Sequence, residues 1–151
     1  MRPRWASVSF VLPFSPEDAE SFWREQVLPA VNERTRRVMI ARLSSDIVGT
    51  VQLDFATPAN QSHRAEIKKL LVHPEARRRG IARSLMAAAE VHARPADRTL
   101  LTLDTVTNGY AEALYLSLGY LRVGVIPGYA FNYNSSVLES TTLMYKQLAP
   151  R

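Results

Sequence analysis

The segment Arg77–Ala82 (RRRGIA) places three guanidinium groups directly before a glycine, where an apolar strand gives way to a helical spacing. The backbone N–H groups in the first turn of a helix have no partner within the helix, and the helix dipole adds positive potential there. Gly80 allows a ligand to approach the backbone closely, and Ala82 keeps the next turn small. The pattern therefore predicts a site for an anion such as a pyrophosphate. It has neither the Walker spacing GxxxxGK[ST] nor the Rossmann GxGxxG, so a basic surface turn is the alternative.

Hydrophobic periodicity places this turn within an alternation of helices and strands. Ser15 and Pro16 are typical of a helix N-cap and first position, and Pro29 is expected to kink or end that helix. Two hairpins are indicated, one at Ser44–Asp46 and one around 132–140. The order α-β-β-β-α-β-α-β-β predicts an α/β domain with a mixed sheet. The predicted helices span 16–33, 81–94 and 109–118, and the predicted strands span 37–43, 47–55, 65–72, 99–106, 120–131 and 141–148.

Composition narrows the class of protein. The chain has 151 residues, of which 46% are hydrophobic, and this suits one domain spanning 1–151. It has no cysteine, so disulfides and thiolate nucleophiles are excluded. No apolar run approaches the roughly 18 residues of a membrane span, and no signal-peptide cleavage site follows the basic N-terminus. We expect a cytoplasmic protein with no membrane partner, and the net charge of +5 favours anionic ligands.

The turn and a second motif together resemble the GNAT acetyltransferase superfamily. RRRGIA fits the [Q/R]-x-x-G-x-[G/A] signature for acetyl-CoA after a strand, and the segment from Asn108 to Tyr120 fits the later pattern N-x-x-A-x-x-x-Y-x-x-x-G-[FY]. The likeness covers about residues 37–148. It implies a mixed, splayed central sheet flanked by helices, and an enzyme that uses acetyl-CoA as its co-substrate.

Within the superfamily the chain most resembles the tabtoxin-resistance type of acetyltransferase. That likeness is carried by HRAEIKKLLVHPEARRRG, LLTLDT, YLRVGVIPGYA and TTLMYKQL. One departure concerns the N-terminus, because the fold usually opens with a strand and a helix before the helix predicted at 16–33. Either residues 7–12 supply a reduced first strand, or the first strand and helix are missing. A strand left exposed at 37–43 would need cover, and a homodimer is the simplest solution.

Acetyl transfer from a thioester to an amine requires removal of a proton from the amine and protonation of the leaving thiolate. Glu66 is the first candidate for the base. Period-two alternation places it on one strand face with Lys68, Leu70 and Val72. The superfamily resemblance adds that its histone-acetylating members place a catalytic glutamate at this position. A structural ion pair with Lys68 or Arg64 is the alternative.

Two further side chains complete the predicted catalytic set. Asp104 ends the neighbouring strand, and it is expected to bind the substrate ammonium or share the base role, unless it caps the loop that follows. Tyr115 is implied by the resemblance to be the general acid, and a phenol with a pKa of about 10 can protonate a thiolate. Tyr115 and Asn108 are predicted near one face of a short helix, with a core tyrosine as the alternative.

The resemblance also implies the groups that bind the co-substrate. A backbone N–H near Leu71 or Val72 is expected to polarise the acetyl carbonyl, and the same strand edge would pair with pantetheine amides. The predicted cofactor-binding residues are Leu70, Leu71, Val72, Arg77, Arg78, Arg79, Gly80, Ile81, Ala82 and Asn108.

The leading prediction is an N-acetyltransferase that moves acetyl from acetyl-CoA to a small primary amine, amino-acid-like or antibiotic-like, by direct attack in a ternary complex. Acetylation of a protein lysine or N-terminus is the alternative within the fold, and a non-catalytic acyl-CoA-binding domain is the alternative outside enzymes. No metal is expected, because the three histidines are dispersed. Nucleic-acid binding is not expected, because no aromatic side chains interleave with the arginines.

Overall fold

The computed structural model describes residues 9–149 and contains one six-stranded sheet. Its strand order is β1-β2-β3-β4-β6-β5, with β3 and β4 parallel and all other neighbours antiparallel. This confirms the predicted mixed α/β fold. The helices are α1 Pro16–Phe22, α2 Leu28–Asn32, α3 Ile81–Ala93 and α4 Tyr110–Ser117. The strands are β1 Arg36–Leu43, β2 Asp46–Asp54, β3 Arg64–Val72, β4 Leu100–Val106, β5 Leu121–Phe131 and β6 Leu138–Gln147.

The first helical region follows the predicted caps and then departs from one regular helix. Ser15 accepts the Asp18 N–H, and Asp18 accepts the Ser15 N–H in return, which completes a capping box. A π-helical turn at Trp23–Val27 then separates α1 from α2. Pro29 was expected to kink or end the helix. It lies in the first turn of α2, directly after the π-helical turn, so the regular helix is interrupted on the N-terminal side of Pro29 and helical structure continues to Asn32.

The region before α1 bears on the expected first strand. The segment 7–12 was one candidate for it, and residues 9–12 of that segment form no strand, while residues 7 and 8 lie outside the described residues. Within residues 9–149, β1 is therefore an edge strand that pairs only with β2. Its Ile40 and Leu43 are 47% and 39% exposed, which agrees with the apolar edge expected from the sequence.

One continuous core joins the sheet to α3 and α4. Leu85, Met86 and Ala89 of α3 pack against alternate strand residues such as Leu53, and Tyr115 of α4 joins the same cluster. The opposite face of the central strands is polar, because the residues that alternate with the core positions are Gln52, Asp54, Glu66, Lys68, Thr102 and Asp104. No helix within the described range is long and apolar enough to cross a membrane.

Candidate functional site

The parallel strands β3 and β4 pair at one end and separate at the other. Their register runs from Arg64 opposite Leu100 to Glu66 opposite Thr102, and no pairing between them is described beyond that point. The edge of β3 from Ile67 to Val72 therefore borders a gap in the sheet. This gap is the splayed region that the resemblance implied.

A bulge in β3 changes which side chains face each side of the sheet. Lys69 has a φ of 53°, and the register between β2 and β3 shifts opposite it. Leu70 and Val72 consequently pack against the helix-side core, whereas Glu66 and Lys68 lie on the polar face. The prediction that all four share one face is wrong. A single residue in the left-handed region has reset the alternation.

The backbone edge that faces the gap is Val72 rather than Leu71. His73 donates its N–H to the Val48 carbonyl of β2 at 2.7 Å. Successive residues of a strand direct their amide groups to opposite edges, so the Val72 N–H and carbonyl point toward the gap. Arg77 Nε donates to that carbonyl at 3.2 Å. Of the two predicted carbonyl-polarising donors, the geometry favours Val72.

The turn that opens α3 has the features of an anion site. Gly80 is the N-cap with a φ of 76°, and no side chain caps the helix. Ser84 donates to the Gly80 carbonyl at 3.0 Å, so the N–H groups of Ile81, Ala82 and Arg83 precede the first intrahelical bond. A Cβ at Gly80 would meet no atom within 4 Å, so the space above it is open. Arg77, Arg78 and Arg79 are all exposed around it. These features fit the pyrophosphate of a bound CoA.

Gly49 on β2 sets how closely α3 approaches the sheet. A Cβ there would lie 3.0 Å from Leu85 Cδ1, 3.1 Å from Ile81 Cγ2 and 3.1 Å from the Leu71 carbonyl. Only glycine leaves room for the first turns of α3 to pack against the strands. The sequence analysis missed this residue. A glycine inside the apolar run IVGTV was the available signal, since a strand glycine often marks close approach.

Glu66 lies on the polar face and is weakly paired. Its carboxylate is 3.7 Å from Lys68 Nζ, and its side chain is 34% exposed. Lys68 makes a shorter contact, 2.8 Å, with Asp54. The pKa of Asp54 is low because, although burial opposes ionisation, Lys68, the Ala56 N–H and Arg36 together outweigh it.

Arg64, the other proposed partner of Glu66, binds elsewhere. It donates to Gln61 Oε1 at 2.9 Å and to Thr102 Oγ1 at 2.8 Å. Glu66 therefore keeps a half-buried carboxylate whose single ion pair among the described residues is long.

Asp104 lies on the same polar face, beyond the end of the β3–β4 pairing. It accepts the Thr141 hydroxyl at 3.1 Å and remains exposed. Burial, together with the charges of Lys68 and Arg36, lowers the pKa of Lys69 at the bulge. The charge of Asp104 acts in the opposite direction. Both candidate acids thus border the gap from one face of the sheet.

Lys69 lies beneath aromatic side chains of the N-terminal region, and its site was missed at the sequence level. Its ammonium lies 4.5 Å from the centre of the Phe10 ring and 5.6 Å from that of Phe22. The segment before α1 and α1 itself therefore cover the bulge on the polar face. The basic pair Lys68–Lys69 gave no sign of this, because nothing local distinguishes a bulged lysine from a strand lysine.

Tyr115 borders the site from the opposite face. It belongs to the helix-side core, is 5% exposed, and has its ring centre 5.8 Å from that of Tyr120. Burial, with a further contribution from the Asp104 charge, raises the pKa of its phenol well above the usual range. The hydroxyl therefore stays protonated at neutral pH and is a donor.

Asn108 is not on the helix that carries Tyr115. Its φ of 60° places it in a left-handed turn, and the extended Gly109 is the N-cap of α4. The predicted shared helix face is therefore wrong, because asparagine readily adopts this turn conformation. The turn is fixed by Glu112, which accepts the Asn108 N–H and the Arg122 Nε–H, the latter at 2.6 Å. Glu112 is 2% exposed and was not anticipated from the sequence.

No group of three His, Asp or Glu side chains within residues 9–149 is placed to hold a metal ion. The candidate site thus consists of the sheet gap, the turn Arg77–Ala82 at one end (called the cofactor turn below), two carboxylates on one face and a phenol on the other.

Comparison with known proteins assigns this arrangement to a family. Residues 4–120 match the acetyltransferase (GNAT) family, and the chain belongs to it. It is an acetyl-CoA-dependent N-acetyltransferase by family, which confirms the enzyme class, the co-substrate and the superfamily resemblance. The tabtoxin-resistance likeness stays a prediction.

Solved structures agree on the fold. A ribosomal-protein-alanine N-acetyltransferase from Brucella melitensis is 24% identical with a TM-score of 0.73, covering 83% of this chain and 76% of that one. A putative acetyltransferase from Salmonella typhimurium with acetyl-CoA is 18% identical, with a TM-score of 0.74 and coverages of 91% and 76%. Spermidine N-acetyltransferase from Vibrio cholerae, with CoA and spermine, is 18% identical, with a TM-score of 0.70 and coverages of 88% and 75%.

Proposed function

We propose that this acetyltransferase moves acetyl from acetyl-CoA to the primary amine of a small molecule, by direct attack in a ternary complex. The observation that carries the proposal is the gap between β3 and β4, which has the carboxylates of Glu66 and Asp104 on one face and the Tyr115 phenol on the other. The aromatic cover over Lys69 supports a small acceptor, because it narrows approach to the polar face. The acceptor class is an amino-acid-like or antibiotic-like amine, in keeping with the resemblance to tabtoxin-resistance acetyltransferases.

Each proposed role follows from position. Glu66 accepts the proton of the incoming ammonium, and Asp104 binds that ammonium or relays its proton through water. The Val72 N–H donates to the acetyl carbonyl oxygen. Tyr115 donates a proton to the departing sulfur. Acetyl-CoA, when bound, supplies the activated acetyl group as a thioester. Since the chain has no cysteine, acetyl cannot be carried on a protein thiol.

Steady-state kinetics of three conservative variants test the roles. General acid–base groups contribute about 10²–10⁴-fold, so Glu66→Gln and Tyr115→Phe should each lower kcat by such a factor while CoA binding is retained. Glu66→Gln should also remove the acidic limb of the pH–rate profile. Asp104→Asn is the matched control. If it costs more than Glu66→Gln and removes the acidic limb, the base is Asp104, and a Glu66→Gln enzyme with wild-type kcat and pH profile contradicts the mechanism.

A thiol-release screen with acetyl-CoA tests the acceptor class. The panel should include amino acids, β-lactam amino acids, aminoglycosides and polyamines, with a peptide N-terminus and a peptide lysine beside them. We expect turnover with a small amine. Preference for the peptides would favour protein acetylation, and CoA binding without thiol release on any amine would favour a non-catalytic domain.

We also propose a homodimer that covers the edge strand β1. The exposed apolar side chains of Ile40 and Leu43 support it, because an uncovered apolar edge strand is an aggregation hazard.

A further inference from the structure

A basic groove lies at the end of the sheet remote from the cofactor turn. It has a volume of about 540 Å³ and is lined by residues from the end of α2, the start of β1, the end of β2 and the segment around α3's last turn. His92 of the groove and Ile81 of the cofactor turn lie at opposite ends of α3, about 17 Å apart along its axis. The groove is therefore separate from the turn proposed to bind the CoA pyrophosphate.

The charged side chains that line the groove are all positive. Its charged lining residues are Arg34, Arg36, Arg37 and Arg98, and no acidic side chain lines it. Arg36 is paired with Asp54 at 3.1 Å. Among the ion pairs within residues 9–149, none involves Arg34, Arg37 or Arg98. Three unneutralised guanidinium groups around one concavity repel one another, and a multivalent anion would relieve that repulsion.

The groove is partly preorganised. Arg98 is held by hydrogen bonds to Thr57 Oγ1 at 3.0 Å and to the Arg64 carbonyl at 2.7 Å. The Phe55 ring contacts two guanidinium groups, with Arg98 at 5.2 Å and Arg37 at 5.8 Å from its centre. These contacts orient the two arginines before any ligand arrives, so less side-chain entropy is lost on binding.

Arg37 contacts a histidine side chain and forms no ion pair with a carboxylate among the described residues. Arg37 Nη1 lies 3.2 Å from His92 Nδ1. A phosphate oxygen is a stronger acceptor for the Arg37 guanidinium than an imidazole nitrogen is.

We propose that this groove binds a free small molecule bearing a di- or triphosphate group. Several oxyanions match several guanidiniums, and arginine binds phosphate oxygens in a bidentate manner. The volume is that of a small-molecule site. A nucleic-acid strand fits less well, because such sites stack bases on aromatic rings and Phe55 already contacts two arginines.

Calorimetry with sodium tripolyphosphate tests the proposal on protein that carries one equivalent of CoA, so that the cofactor turn is occupied. We expect one further equivalent to bind. Arg37→Gln and Arg34→Gln should each weaken this binding by about tenfold or more, the loss of one charge-assisted phosphate contact. Arg34 is exposed and makes no ion pair with any described residue, so its variant should fold as the wild type does.

Arg42→Gln is the matched control, because it removes the same charge from the exposed part of β1 outside the groove. It should change the affinity by less than about twofold, as expected for screened charges at a distance. The proposal is overturned if no tripolyphosphate binds, or if either groove variant binds as tightly as Arg42→Gln. Tighter binding of a short single-stranded oligonucleotide, with the same dependence on Arg37, would overturn the small-molecule assignment.

Discussion

Replacing Glu112 by glutamine tests whether this carboxylate stabilises the Asn108 turn, because the change leaves the proposed catalytic side chains at the sheet gap in place. Glu112 is 2% exposed, accepts from Arg122 Nε at 2.6 Å, and also accepts the Asn108 N–H. Burial alone would raise its pKa, but the bonds from Arg122 and Asn108 outweigh burial and hold the pKa below its usual range. The carboxylate is therefore charged and pairs two segments, the turn before α4 and the start of β5.

The size of the effect follows from these contacts. Glutamine keeps one oxygen acceptor but presents an N–H₂ group to the second donor, which leaves that donor unsatisfied at a cost of roughly 1–3 kcal/mol. Loss of the charge-assisted bond to Arg122 adds about 1 kcal/mol, discounted because the Arg122 side chain is 51% exposed. The total is about 2–4 kcal/mol, or about 5–15 °C in Tm for a domain of this size.

Urea denaturation of Glu112→Gln, Arg122→Gln and the double variant measures the pairing directly. We expect a coupling free energy of about 1–2 kcal/mol and a higher KM for acetyl-CoA in Glu112→Gln, because the Asn108 turn loosens. The folded pKa of Glu112 is lowered, so its stabilisation is complete above the unfolded pKa and is lost as pH falls through the folded pKa. The difference in unfolding free energy between wild type and Glu112→Gln should therefore become smaller at acidic pH. Zero coupling, together with a stability difference that does not change with pH, would refute the reasoning.

Three further predictions concern the packing of α3, the cofactor turn and the β1 edge. Gly49→Ala should lower the free energy of unfolding in urea by about 1–3 kcal/mol and weaken CoA binding, because the new methyl group meets α3 side chains at 3.0–3.1 Å. Gly124→Ala is the control, since its new methyl group would have no atom within 4 Å, and it should leave both quantities nearly unchanged. Gly80→Val and Arg77→Ala should each weaken CoA by roughly 1–3 kcal/mol in calorimetry, and unchanged affinity in both contradicts the pyrophosphate assignment. Light scattering should find a dimer at micromolar concentration that Ile40→Glu dissociates, and a stable wild-type monomer would argue against it.

Periodicity predicted β3 and α3 well because each buries one face against the same core. The strand predicted at 65–72 forms at Arg64–Val72, and the helix predicted at 81–94 forms at Ile81–Ala93. In both elements the spacing of apolar residues follows from which face is buried, and this spacing is visible in the sequence. The end of α4 was also readable, since Gly119 with a φ of 88° is the residue after its C-cap.

The departures occur where one backbone conformation decides the geometry. Lys69 adopts a left-handed φ that lysine seldom takes. A glycine or asparagine at this position would have indicated the bulge, but the sequence has neither. The π-helical turn at Trp23–Val27 likewise has no amino-acid pattern that distinguishes it from an α-helix. Glu112 resembled an ordinary helix-surface residue, and only the tertiary position of Arg122 on β5 makes it a buried anchor.

The bulge and the splay have a joint consequence for the chemistry. Because Lys69 resets the alternation, the strand places Glu66 on the polar face and Leu70 in the core within four residues. Because β4 leaves β3 after Thr102, the sheet is open where those faces meet. The proposed base Glu66 and the proposed acid Tyr115 then lie on opposite faces of the sheet, on either side of this opening. In the proposed mechanism, Glu66 therefore takes the amine proton on the polar face, and Tyr115 gives the sulfur a different proton from the helix side.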